Sequence, residues 1–197
     1  MISEAALLCD NGNYARAYFL AVAAIEEIGK SIIAFDAQGR NLRDPAVVSR
    51  INRMLGDHAS KIRAAFTGFL VADPRKNVGP AIDLILALQR GREPSMYTDL
   101  NSDLSIHIPT VAVRERASGD CVRLAKECLS SATRHVAGSS PTKRSKADDQ
   151  FFALKSSVAG AIMNTEDFWW YHIARMESGN LDLAESVLTY RNEFLLK

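Results

Sequence analysis

The sequence predicts an all-α protein, a helical bundle of about six or seven helices that forms one domain over residues 1–197. Three observations support this prediction. Apolar residues recur at spacings of three and four along most of the chain, the period-two pattern of strands is almost absent, and turn or capping residues divide the chain into helical lengths. With 197 residues, 47% of them hydrophobic, the chain has ample material for one core.

The first two predicted helices form a hairpin. They span residues 3–10 and 14–37, and the intervening Asn11-Gly12-Asn13 is typical of a turn. One side of the second helix carries Tyr14, Tyr18, Ala21, Ile25, Ile28, Ile32 and Phe35. A second, mostly small-residue face carries Leu20, Ala23, Ala24, Ser31 and Ala34, so this helix should contact neighbours on more than one side.

Two adjacent acids at the end of this apolar stretch need partners. Glu27 lies on the small-residue face, so we expect its carboxylate to be at least partly buried and to meet a cation or hydrogen-bond donor. The candidate partners are Lys61, Arg92, His58 and Tyr97. The alternative is that Glu26 and Glu27 lie at the rim of the helix and pair with Lys30, at offsets of four and three.

Residues 45–71 are predicted to form one long helix packed against residues 14–37, because Asp44 and Pro45 suit an N-cap and a first helical position. Its inward residues are Val48, Ile51, Leu55, His58, Ile62, Ala65 and Phe69. Asp73-Pro74 opens the next helical segment, with Val78, Ala81, Ile85 and Leu88 inward. An irregular stretch follows over residues 92–109.

The rest of the chain is also predicted to be helical. One helix carries Ala117, Cys121, Leu124, Cys128 and Ala132; a long one carries Phe151, Leu154, Val158, Ile162, Trp169 and Ile173; and a short one starts at Leu181. A polar loop over residues 138–147 lies between the first two. Its segment Lys143-Arg144-Ser145-Lys146 suits phosphate binding, with a solvated connector as the alternative.

Composition bounds the partners and the compartment. A net charge of +1 gives no electrostatic argument for nucleic acid, although a local basic patch can suffice. The N-terminus lacks the basic flank of a signal peptide, and the longest apolar run, residues 17–25, is about half of a membrane span. The three cysteines make no complete pairing, and Cys121 and Cys128 are too far apart on one helix for a bridge. We expect a soluble, cytoplasmic protein with reduced thiols and no membrane partner.

Two segments break the helical pattern in ways that indicate function. His58 lies at an inward position, and histidine transfers protons near neutral pH. The alternative is a satisfied core histidine beside an exposed stripe of Arg53, Asp57 and Lys61. The second segment places Arg92, Glu93, Tyr97 and Asp99 in a long loop, for which the alternative is a lid over the end of the bundle.

Together these segments resemble the AbiV-type abortive-infection proteins, a branch of the HEPN superfamily. The ordered motifs are G-x-Y-x-x-A, A-x-x-E-E-x-G-K, D-H-x-x-K and R-E…Y-x-D with a later proline. In this chain they fall on Gly12, Tyr14, Ala17, Ala24, Glu26, Glu27, Gly29, Lys30, Asp57, His58, Lys61, Arg92, Glu93, Tyr97, Asp99 and Pro109. The resemblance covers about the first 110 residues.

The resemblance implies a HEPN-like helical bundle with an antiphage or toxin-like role. Many HEPN proteins are metal-independent ribonucleases that dimerise, so that an arginine and a histidine four to six residues apart in each protomer line a shared cleft. Arg53 and His58 fit that spacing. His58 would then act as general base or acid at the ribose 2′-hydroxyl, and Arg53 would stabilise the charge on the phosphate.

A homodimer is also predicted because the run Phe168-Trp169-Trp170-Tyr171 exceeds what one helix can bury, and HEPN relatives are commonly dimeric. The alternative is that one tryptophan packs inside and the other lies under a loop.

The competing function is a non-catalytic HEPN module. Its polar network, or a pocket for a nucleotide-like ligand or for a phage or host protein, would be formed by Glu26, Glu27, Lys30, Asp57, His58, Lys61, Arg92, Glu93 and Tyr97. No metal or cofactor is expected in either case, because the sequence lacks the Glu-x-x-His pairs of di-iron bundles and any glycine-rich phosphate loop.

Overall fold

The structure is a computed structural model that describes residues 1–72, 74–100 and 106–196. It describes the backbone alone for Pro74, Arg75, Lys76, Val78, Asp99, Leu100 and His107. The predicted helix start at Asp73, the predicted inward side chain of Val78 and the candidate site side chain of Asp99 therefore lie outside the described residues.

The described residues are mostly helical, which confirms the all-α fold class. The helices are α1 (Ile2–Asp10), α2 (Tyr14–Ala37), α3 (Pro45–Gly56), α4 (His58–Ala65), α5 (Thr67–Ala72), α6 (Pro74–Gly91), α7 (Pro109–Ala112), α8 (Glu115–Gly138), α9 (Lys146–Ala153), α10 (Ser156–Met163), α11 (Glu166–Glu177) and α12 (Leu183–Tyr190), followed by a π-helical turn, Arg191–Leu195. Across these residues the only extended pairing is a two-residue antiparallel ribbon of β1 (Asp99–Leu100) and β2 (Ile106–His107). The predicted number of helices was too low.

The count differs because two predicted long helices are interrupted. The helix predicted over residues 45–71 is three helices, since Asp57 caps α4 by accepting a hydrogen bond from the Ser60 amide at 2.7 Å, and Phe66 ends that helix. The helix predicted through Phe151 and Ile173 is also three, α9 to α11. The prediction of two continuous helices was wrong.

The described chain forms two compact units. The first comprises Met1–Phe35 and Met54–Ser140. The predicted hairpin of α1 and α2 is confirmed, with Gly12 in the left-handed region at φ 76°, where glycine is favoured. Buried residues of the predicted inward face of α2, Ala21, Ile25, Ile28 and Ile32, join Ile62, Phe66, Leu88, Val122, Ala125 and Cys128 in the core. The single-domain assignment stays a prediction.

The thiols of the first unit are reduced in this fold. Cys121 and Cys128 are buried on α8, and burial raises the pKa of each thiol to about 12. Cys9, on α1, is half-buried. The two buried thiols are therefore protonated at neutral pH and behave as small apolar side chains.

The second unit comprises Asp36–Arg53 and Pro141–Lys197. Its apolar centre is formed by Ile162, Phe168 and Val187, and α9 contacts α12. A polar group joins its two chain segments: Arg40 donates to Asp149 at 3.1 Å, and the Asn41 amide donates to the same carboxylate at 2.9 Å. The Arg40 guanidinium also lies 3.7 Å from the centroid of the Phe152 ring. We call Arg40, Asn41, Asp149 and Phe152 the Asp149 cluster.

Candidate functional site

One buried carboxylate gathers three basic side chains in the first unit. The Glu26 side chain on α2 is 7% exposed, and Lys61 Nζ lies 2.8 Å from its Oε2. Arg92 Nε donates to Glu26 Oε1 at 2.8 Å. His58 Nδ1 lies 2.9 Å from Oε1 and 2.8 Å from Oε2. We call Glu26, His58, Lys61 and Arg92 the Glu26 cluster.

Local structure explains how these side chains meet. His58 is the first residue of α4, directly after the Asp57 cap, and Lys61 follows one turn later on the same side of that helix. Arg92 lies just beyond the end of α6, where its amide donates to the Leu88 carbonyl. The hydroxyl of the buried Ser95 donates to the Arg92 carbonyl at 2.6 Å, which holds the turn that follows.

A glycine permits the close approach of α2 to α4. Gly29 lies three residues after Glu26, and a Cβ placed there would overlap the backbone carbonyl of Lys61. Because backbone cannot move aside as a flexible side chain can, the contact requires glycine. The approach brings Lys61 within reach of the Glu26 carboxylate. Residues 14–37 were predicted to pack against residues 45–71, and this contact confirms the prediction for the part that forms α4.

The electrostatics keep Glu26 ionised. Burial acts to raise the pKa of its carboxyl, but hydrogen bonds from Lys61, His58 and Arg92 and the charge of Lys61 outweigh it, so the pKa is lowered. The cluster then holds one negative charge against the two fixed positive charges of Lys61 and Arg92. It retains an excess of positive charge even when His58 is neutral.

The geometry also defines the tautomer of His58. Its Nδ1 lies within hydrogen-bond distance of both carboxylate oxygens, so Nδ1 carries a proton that it donates to Glu26. Lys61 Nζ, 3.2 Å from the same nitrogen, is then a neighbour and not its donor. In the neutral ring the lone pair is on Nε2, and the His58 side chain is 51% exposed. The cluster therefore holds an imidazole that is half in solvent.

The prediction that Glu27 is buried was wrong. Glu27 is exposed, and its carboxylate lies 2.6 Å from Lys30 Nζ. For Glu27, this agrees with the alternative prediction of a rim position paired with Lys30. Glu26 takes the place predicted for Glu27, with three of the predicted partners. The reason is the helical register: Glu26 lies at offsets of three, four and seven from the buried residues Gly29, Val22 and Ile33.

In the described part of the first unit, the other predicted site residues form no hydrogen bond or ion pair with this carboxylate. Asp57 caps α4, and its hydrogen bond with Ser60 lowers the pKa of the carboxyl. Glu93 and Tyr97 are exposed, although both follow Arg92 closely in the chain. Arg53 is exposed near the end of α3 and belongs to the second unit, whereas His58 belongs to the first.

The sequence pattern placed His58 at an inward position of one long helix, and this prediction was wrong. The interruption at Asp57 places this histidine at the start of α4, half in solvent. Across the described residues, no group of three or more His, Cys, Asp or Glu side chains is arranged to hold a metal ion. No helix in that part of the chain is long and apolar enough to span a membrane.

These features define a helical protein with an ionic site that joins α2, α4 and the turn after α6. The chain belongs to the AbiV family of HEPN proteins, whose family model matches residues 1–130. This confirms the resemblance read from the motifs, and it associates the chain with the abortive-infection type of HEPN protein. No curated protein and no solved structure matches the chain.

Proposed function

We propose that this chain is a cytoplasmic, toxin-like antiphage protein that acts in abortive infection by cleaving RNA without a metal, with His58 as its reactive group. The observation that carries the proposal is a half-exposed imidazole whose Nδ1 is held by a buried carboxylate. In catalytic triads a carboxylate holds histidine in the same way, fixing the tautomer and stabilising the imidazolium that forms.

The chemistry is transesterification within the RNA strand. His58 Nε2 takes the proton of a ribose 2′-hydroxyl, and the 2′-oxygen attacks the adjacent phosphorus. The bond from phosphorus to the 5′-oxygen breaks, and that oxygen takes a proton from the imidazolium or from water. The products are a 2′,3′-cyclic phosphate and a 5′-hydroxyl. Glu26 stabilises the imidazolium, and Arg53 is the phosphate-stabilising residue that the family resemblance implies.

The test is RNA cleavage by purified protein in the presence of a chelator. His58→Gln should lower the rate by about a hundredfold or more, since general base catalysis contributes about 10²–10⁴. The matched control is His135→Gln, because His135 is a partly buried histidine of the same unit. Its ring packs edge-to-face against Phe35. Equal activity of the two variants would contradict the role of His58, and dependence on a metal would contradict the mechanism.

We also propose that the protein is a homodimer that uses the exposed face of α11. Phe168 is buried, but Trp169 and Trp170 are 41% and 63% exposed, and Ile173 and Met176 continue the same apolar face. The alternative of two covered tryptophans does not fit these exposures. Light scattering should give twice the monomer mass for the native chain and the monomer mass for Trp170→Glu. A monomeric native chain at micromolar concentration would contradict the interface.

A second function rests on the burial of the cluster. The Glu26 and Lys61 side chains are only 7% and 6% exposed, and the ion pairs join three elements, which fits a non-catalytic module that binds a phage or host protein. In that case the native chain should not cleave RNA. His58→Gln should then lower the melting temperature without any loss of cleavage to measure.

A further inference from the structure

We infer that Arg92 is the phosphate-binding residue of the Glu26 cluster, so that one protomer supplies both the reacting imidazole and the cation that holds the scissile phosphate. The family resemblance gives that cationic role to Arg53 through its spacing from His58. The inference rests on the proposed function in taking the phosphate to be a phosphodiester of single-stranded RNA.

The first support is the way in which Arg92 uses its nitrogens. Only Nε contacts Glu26, and across the described residues the two terminal nitrogens have no acceptor. They are not shut away from solvent, because the Arg92 side chain is 17% exposed. A guanidinium fixed through Nε presents its terminal N–H groups as a preformed fork, which matches two oxygens of a phosphate.

The second support is that Arg92 and His58 share one carboxylate oxygen. Glu26 Oε1 lies 2.8 Å from Arg92 Nε and 2.9 Å from His58 Nδ1. The guanidinium and the imidazole therefore lie side by side, because both contact the same oxygen of Glu26. A phosphate on the terminal nitrogens of Arg92 brings its adjacent ribose close to the histidine ring.

The third support is the charge of the cluster. Lys61 and Arg92 carry two positive charges against the single charge of Glu26, so the site holds an excess that an anion would neutralise. Two nearby acids are engaged elsewhere: Asp57 caps α4 and contacts Arg63 at 3.8 Å, and Glu27 pairs with Lys30. Glu93, the residue after Arg92, is exposed. Lys61 is itself 6% exposed, which leaves Arg92 as the cation within reach of a ligand.

The experiment separates binding from cleavage. The probe is a short single-stranded RNA oligonucleotide methylated at every 2′-hydroxyl, which cannot undergo the reaction. Arg92→Lys keeps a cation beside Glu26 but removes the fork. The matched control is Arg123→Lys, because Arg123 is an exposed arginine of the same unit that pairs with an acid, Asp120. Arg53→Lys tests the competing assignment. We expect Arg92→Lys to weaken binding by about tenfold because the two-point contact of the fork is lost, with the control unchanged. Arg92→Gln, which removes the charge, should also reduce the slope of log affinity against log salt by about 0.7, the value for one phosphate contact on a single strand.

Each outcome has a distinct meaning. If the native chain binds the probe through Arg92 but cleaves no RNA, the inference stands and the ribonuclease proposal fails. If Arg92→Lys binds the probe and cleaves RNA as the native chain does, the inference fails and the ribonuclease proposal stands. A native chain that does not bind the probe, or a loss caused by Arg53→Lys in place of Arg92→Lys, overturns the inference.

A second measurement uses the native chain, in case Arg92→Lys does not fold. Phenylglyoxal modifies the terminal nitrogens of arginine, and mass spectrometry locates the modified residues. The methylated RNA should slow modification of Arg92 by about tenfold while leaving Arg53 unchanged. Equal modification of Arg92 with and without the probe would overturn the inference.

Discussion

The Glu26 cluster of the first unit and the Asp149 cluster of the second are two solutions to the burial of a carboxylate. Asp149 has one arginine and one backbone amide, and the Arg40 guanidinium is covered by the Phe152 ring. Glu26 has two fixed cations and a half-exposed histidine. The Asp149 cluster is balanced and closed, whereas the Glu26 cluster is over-supplied with basic groups and open. Burial of an acid alone therefore does not indicate a functional site; the excess charge and the exposed imidazole do.

The largest effect is expected from removing either acid. Glu26→Ala and Asp149→Ala should each lower the free energy of unfolding by about 3–5 kcal/mol, because each leaves a buried cation without its partner. Urea denaturation measures both. Glu27→Ala is the control for Glu26, and should change stability by less than about 0.5 kcal/mol because its pair with Lys30 is exposed. A small cost at Glu26 and a large one at Glu27 would reverse the assignment of the two acids.

The next effect tests the close approach of α2 to α4 beside the Glu26 cluster. Gly29→Ala should cost about 1–3 kcal/mol, because its methyl group must displace the Lys61 backbone. Gly119→Ala is the control: it lies in the interior of α8 with no atom within 4 Å of the added Cβ, so it should gain about 0.4–1 kcal/mol. Thermal unfolding distinguishes the two signs. A Gly29→Ala protein as stable as the native chain would mean that the two helices can separate freely.

A smaller effect on stability should distinguish Arg40 of the Asp149 cluster from Arg92 of the Glu26 cluster. Arg40→Lys keeps the charge beside Asp149 but loses the guanidinium plane over Phe152, which should cost about 0.5–1 kcal/mol. Arg92→Lys has no ring to lose in the described structure and should change stability by less than about 0.5 kcal/mol. Equal losses in urea denaturation would mean that the open cluster is packed as tightly as the closed one.

The smallest effect is expected in the pH dependence of the unfolding free energy at acidic pH. The pKa of Glu26 is lowered in the folded chain from a reference of 4.5, so its contribution to stability is complete above that pH and is lost as the pH falls through the lowered value. Glu26→Gln lacks this contribution. The difference in unfolding free energy between the native chain and Glu26→Gln should therefore narrow as the pH is taken below 4.5. A difference that stays constant down to strong acid would mean that the carboxyl titrates normally.

Much of the helical fold could be predicted because its signals are local. The turn at residues 11–13 and the inward positions Ala21, Ile25 and Ile32 follow from turn chemistry and helical spacing, and both are confirmed. The break at Asp57 was missed because the three-and-four spacing runs through it. The available signal was a glycine followed by an N-cap acid, Gly56-Asp57, which ends one helix and starts another.

The candidate site could be predicted only in outline, because its assembly depends on tertiary contacts. The partners of a buried acid were correctly sought in His58, Lys61 and Arg92, but the acid was assigned one residue too late, a rotation of about 100° on the helix. Arg92 lies 66 residues from Glu26, a distance at which no local pattern acts. The Asp149 cluster was missed for the same reason, since its ion pair spans 109 residues.

The protonated thiols of α8 have a practical consequence for measurement. A maleimide reacts with thiolate, and Cys121 and Cys128 are both buried and held with pKa values of about 12. Cys9 is the remaining cysteine of the sequence, and it is half-buried on α1. The native chain should therefore accept a single fluorophore, at α1, where that helix packs against α8. A spectroscopic probe of the first unit can then be installed without changing one residue, and it leaves the Glu26 cluster chemically intact.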